Sequence, residues 1–79
     1  MKVPRNVDAV ELITLLKRYG YSVIRQTGSH IRMSKKAAEG EHNITIPNHK
    51  PIKIGTLHDI VKDICNFNQL DINDFYKQL

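Results

Sequence analysis

An α+β domain, built as a three-stranded antiparallel sheet with helices on one face, is predicted by three observations. Two segments with helical apolar spacing flank a central stretch with strand-like alternation, glycine or proline punctuates the segment ends, and the whole is only 79 residues long. At this length only roughly 60% of the unfolded surface can be buried. Material for a second covering layer is lacking, so one face of the sheet is expected to stay open. The expected order is α-β-β-β-α with a short further helix, residues 1–79 forming a single domain.

Each element has its own signal. Ala9, Leu12, Ile13, Leu16 and Tyr19 recur at the spacing of one helix face over residues 8–19. Asp8 with Glu11 three residues on suggests a capping box, and Gly20 a stop. Residues 21–26, rich in β-branched and aromatic side chains, predict a strand, Thr27-Gly28 a turn, and His30 to Ser34 the returning strand of a hairpin. In that second strand Ile31 and Met33 take one face while His30 and Arg32 take the other. The polar run from Ser34 to His42 reads as an exposed loop. A third strand follows from Asn43 to Pro47, with Ile44 and Ile46 inward and Pro47 closing it. Thr56, with Asp59 three residues on, predicts the N-cap of a second helix whose stripe is Leu57, Ile60, Val61 and Ile64. Asp71 predicts the start of a last helix that packs Ile72, Phe75, Tyr76 and Leu79.

The formal charge is +4, and it is unevenly spread. Lys17, Arg18, Arg25, Arg32, Lys35, Lys36, Lys50 and Lys53 face only Glu39 and Glu41 in the middle of the chain, whereas Asp59, Asp63, Asp71 and Asp74 make the end acidic. Such a basic centre suits a polyanion, and nucleic acid is the commonest one. The lone Cys65 can make no intrachain disulfide and reads as a small buried residue beside Ile64, which suits a reducing, cytoplasmic setting. The basic start, residues 1–6, lacks an apolar core, and no run approaches membrane-spanning length, so no membrane partner is expected. His30, His42, His49 and His58 lack compact ligand spacing, and neither a metal nor a cofactor is expected. His42 falls in the expected loop and His58 on the polar side of the second helix, while Tyr19 and Tyr21 read as packing residues.

Gly28-Ser29-His30 places an imidazole beside a turn in the basic stretch. Taken with Gly20-Tyr21, Arg25, Pro47-Asn48-His49, Lys53-Ile54-Gly55-Thr56-Leu57, Ile60-Val61-Lys62 and the terminal Asp74-Phe75 segment, it resembles the HicA family of toxins over nearly the whole chain. The resemblance implies a double-stranded-RNA-binding-domain-like fold and an RNA-cleaving toxin held inactive by a HicB-type antitoxin. The family's catalytic histidine corresponds to His30.

Histidine fits metal-free RNA cleavage, in which a base takes the proton of the ribose 2′-hydroxyl and the oxygen then attacks the adjacent phosphate. An ordinary imidazole pKa near 6.5 leaves a neutral fraction at neutral pH. From residues alone, a histidine in a basic strand more often hydrogen-bonds phosphate than catalyses; the resemblance favours His30 as general acid or base. Arg25, Gly28, Ser29, Arg32, Lys35, Lys36, His49, Lys50 and Lys53 are the expected RNA contacts, and His49 is also a candidate acid–base partner. Gly28 and Ser29 suit a hairpin turn whatever the function, although turn N–H groups also form small anion nests. Two rival readings are a non-catalytic RNA-binding module of the same fold and an interaction domain that docks an acidic protein.

Overall fold

Only one face of the sheet is covered in the computed structural model, which describes residues 3–79; the first two residues of the basic start lie outside them. The order is α1 (Ala9–Arg18), β1 (Ser22–Thr27), β2 (His30–Ala37), β3 (Gly40–Pro47), α2 (Ile54–Asn68) and α3 (Ile72–Tyr76). The strands are antiparallel in the order β1-β2-β3. This is the expected α+β class.

Strand alternation sends Ile31 and Met33 of β2, and Ile44 and Ile46 of β3, to the helix side, where all four are buried. Leu12, Leu15 and Leu16 of α1, Leu57, Val61 and Ile64 of α2, and Phe75 of α3 complete one hydrophobic cluster. Val7 and Ile52 join it from the flanking loops, tied together by the Ile52 N–H to Val7 C=O bond at 2.8 Å. Leu15, not expected in the stripe, is buried beside Leu12 and Leu16, whereas Ile13 is only partly buried. The helix starts with the Asp8 N–H donating to the Glu11 carboxylate at 3.3 Å, and Gly20 (φ 95) lets the chain reverse after it.

Three boundaries differ from expectation. The stretch from Ser34 to His42 is mostly sheet: β2 runs to Ala37, β3 begins at Gly40, and the turn is only Ala38-Glu39. Polar composition concealed a strand pair here because its outward face is solvated and two paired inward positions, Lys35 and His42, are polar. The first hairpin turns at Gly28-Ser29, with Thr27 still in β1. Gly28 at φ 57, without a left-handed φ at Ser29, fits a two-residue type II′ turn. Finally, α2 starts at Ile54 with Lys53 as N-cap, which puts Thr56 inside the helix. Anchoring of Ile52 fixes where the chain enters, and the Leu57 N–H already bonds the Lys53 carbonyl at 2.8 Å.

A polar network lies on the helix side at the far end of the sheet. The Asn68 amide donates to the Ile64 carbonyl (2.8 Å) and the Tyr21 hydroxyl (2.9 Å), while its oxygen accepts from the Lys35 ammonium. Tyr21 therefore directs its own proton to His42 Nδ1, 2.6 Å away. That assigns the proton of neutral His42 to Nε2, which is buried without an aligned hydrogen bond, although Asp63 Oδ2 is 3.1 Å away. Phe67 stacks on the imidazole with ring centres 4.6 Å apart. Burial pushes the Tyr21 hydroxyl pKa up, against a lowering by its bond from Asn68. His58, expected on a solvated face, instead pairs with Tyr76 at 2.8 Å and ties α2 to α3.

Candidate functional site

The open face of the sheet carries His30, Arg32, Ser34 and Lys36 from the central strand. Register makes the rows explicit: Arg25, Arg32 and Thr45 stand side by side across the three strands, and Thr27, His30 and Pro47 form the next row. Arg25, Thr27, His30, Arg32 and Thr45 line a shallow cleft of about 350 Å³. Neither arginine makes an ion pair among the described residues. Two like charges directly opposite each other on adjacent strands are unfavourable to the fold, so the pair is suited to an anion placed between or above its guanidinium groups.

The turn motif and the Pro47-Asn48-His49 motif meet at one end of this cleft. The Asn48 N–H donates to the Ser29 carbonyl at 2.6 Å, and His30 is in register with Pro47. His49 is exposed and held by its backbone, its N–H on the Pro47 carbonyl (2.8 Å) and its carbonyl accepting from the Ala9 N–H (3.2 Å). Lys50 and Lys53 follow on the same loop, both exposed. A Cβ at Gly28 would meet nothing within 4 Å. Its glycine is thus demanded by the positive φ rather than by a crowded contact.

Lys36 is exposed on the open face opposite Glu41. Lys35 is not with the others. It is on the helix side in register with His42, half-buried, bonded to Asn68 and 5.7 Å from the Tyr21 ring centre. Its ammonium serves the internal network, which argues against the RNA contact expected of it. Thr27 and Thr45 are cleft residues that sequence reasoning missed. Placing the turn at Ala38-Glu39 would have found Thr45, because that register sets it opposite Arg32.

A larger hollow of about 720 Å³ lies between α2 and α3, lined by Lys62, Asp63, Cys65, Gln69, Leu70 and Asp71 among others. Burial, with Asp71 nearby, pushes the Cys65 thiol pKa up, which disfavours the nucleophilic thiolate. Size alone therefore does not locate the chemistry. Among the described residues no three His, Cys, Asp or Glu side chains gather as a metal-binding group. No helix among them is long and apolar enough to cross a membrane.

The profile of one protein family, described as the HicA toxin of bacterial toxin–antitoxin systems, matches residues 9–64. The chain belongs to the HicA toxin family. The match takes in α1, the whole sheet and most of α2, and so includes every residue of the cleft. A HicA-family chain is a toxin of a toxin–antitoxin pair, which implies a partner antitoxin and an RNA target. Comparison with curated proteins found no match, and comparison with solved structures found none.

Proposed function

We propose that this HicA-family toxin is a metal-independent endoribonuclease that cleaves messenger RNA at the cleft around His30, in the cytoplasm, and that a HicB-type antitoxin neutralises it. The observation that carries the reading is the seating of one imidazole in the row next to an unneutralised Arg25–Arg32 pair. A phosphodiester held by the two guanidinium groups relieves their repulsion and places its neighbouring ribose within the same cleft. His30 then takes the 2′-hydroxyl proton, the 2′-oxygen bonds to phosphorus, and the P–O5′ bond breaks as the leaving oxygen gains a proton. The products are a 2′,3′-cyclic phosphate and a 5′-hydroxyl. Arg25 and Arg32 offset the extra negative charge of the phosphorane, while the Thr27 and Thr45 hydroxyls are available to sugar or phosphate oxygens.

Gly28 and Ser29, with His49, Lys50 and Lys53, extend the contact surface beyond one end of the cleft, and Lys36 extends it along β2. The cleft lining contains no Phe, Tyr or Trp side chain, so phosphate and ribose contacts carry the affinity and sequence preference is loose. DNA, without the 2′-hydroxyl, is bound but not cut.

The test is incubation of purified wild-type and His30→Ala proteins with a defined messenger RNA in EDTA, followed by chemical identification of the new ends. Wild-type cleavage to cyclic phosphate ends, reduced at least roughly 100-fold in the variant, is expected. One observation favours the non-catalytic module as the second reading: among the described residues, His30 makes no side-chain hydrogen bond that fixes its tautomer. Salt-sensitive RNA binding by both proteins, with cleavage by neither, would establish that module instead.

A further inference from the structure

Every residue of β1 is exposed, unlike either other strand. It forms one edge of the sheet, so alternate N–H and C=O groups along six residues have no strand partner. The helices pack against β3 rather than β1. As a result Val23, in register with fully buried Met33, remains 43% exposed, and Ile24, where the register shifts, is 55% exposed. Two adjacent apolar side chains therefore flank an open backbone edge. The same strand continues into Arg25 and Thr27 of the cleft.

We propose that β1 is the docking edge for the protein antitoxin, which adds an extended acidic segment to the sheet as a fourth strand. The inference rests on the toxin reading for its partner, but its geometry comes from the edge itself. Backbone groups of the incoming segment would satisfy those of β1, and an apolar side chain would cover Val23 or Ile24. Carboxylates on the open face would meet Arg25 and, beyond it, Arg32. Charge also decides against a second copy of this chain: pairing β1 with β1 gathers the Arg25–Arg32 cations of both copies along one junction with no acid from β1 to oppose them. A strand bound here covers one side of the cleft and neutralises the cations that RNA needs. Docking and inhibition are then one event.

Hydrogen–deuterium exchange of the His30→Ala toxin, alone and with its cognate antitoxin, tests the edge directly. Slowed exchange of amides in residues 22–27 on complex formation is expected. Ile24→Glu, made in the wild-type background, is expected to bind antitoxin at least 10-fold more weakly while the free variant still cleaves RNA at the wild-type rate. A complex that leaves β1 amides unprotected and tolerates Ile24→Glu overturns the proposal, as does failure of any complex to form. Protection of β1 in antitoxin-free protein, together with a dimer mass, would overturn it in favour of self-pairing. If β1 is protected by antitoxin but the wild-type protein cuts no RNA, the docking edge stands and the nuclease reading fails.

Discussion

At the residue scale, Arg25, Arg32 and Lys35 are equal in formal charge and unequal in what surrounds them. The two arginines oppose each other across adjacent strands without an acid, so Arg32→Gln removes a repulsion as well as one of the guanidinium groups proposed to hold RNA phosphate. We expect its urea midpoint to equal or exceed that of wild type while RNA affinity falls. The slope of log affinity against log salt should flatten by about 0.7 for each phosphate of a single strand that the variant no longer neutralises. Lys35→Gln is expected to do the reverse, lowering the urea midpoint while leaving the salt slope unchanged, because its ammonium bonds Asn68. Equal effects of both substitutions on the salt slope would remove the distinction between the faces. His42 gives the same lesson. A polar residue in a polar run looked solvated, but its ring is stacked between Phe67 and the rest of the network.

Elements here are held by their ends. The α2 C-cap, Gln69, has φ 56 and ψ 49, a left-handed conformation that glycine adopts without a Cβ penalty. Gln69→Gly is expected to raise stability by roughly 0.5–1 kcal/mol, read as a higher urea midpoint with RNA cleavage unchanged. One residue earlier, Asn68 connects α2 to Lys35 of β2 and to Tyr21 before β1. Asn68→Ala strands these partners and should cost about 1–3 kcal/mol; a loss within error of zero in chemical denaturation would mean that water replaces the amide. The other sheet end depends on the Ser29–Asn48 backbone bond, which brings the two motifs flanking His30 together. Gly28→Val should disturb that end selectively, since a β-branched residue strongly resists φ 57.

For the whole molecule, thickness is the governing quantity. The principal extents are 32 × 31 × 18 Å, and the short dimension accommodates one sheet and one helical layer but no third. The open face is thus a consequence of chain length, and the cleft occupies it. Stability also depends on tyrosine ionisation. Burial raises the Tyr21 and Tyr76 hydroxyls above their ordinary pKa of 10.0. The unfolded chain loses these protons first, so their contribution is fully present below that value and is lost as pH rises through the folded values. Urea midpoints should therefore fall above about pH 10, and a Tyr21→Phe/Tyr76→Phe double variant should show a shallower alkaline decline.

Sequence periodicity by itself determined the α+β class, the order of elements, the inward faces of β2 and β3, and the outward direction of His30 and Arg32. Each follows from a local rule, a period of 2 or 3.6 residues, that needs no knowledge of partners. Gly28-Ser29-His30 was legible because a turn demands glycine and because imidazole is uncommon chemistry. Only tertiary structure decided that Lys35 faces inward, that Thr27 and Thr45 join His30, and that β1 is left uncovered. These depend on strand register and on which strand the helices reach. Register at β2–β3 is set by a two-residue turn, Ala38-Glu39, that carries no strong turn signal of its own. Helix placement is set by where Val7 and Ile52 anchor the loops, through a contact between segments far apart in the chain.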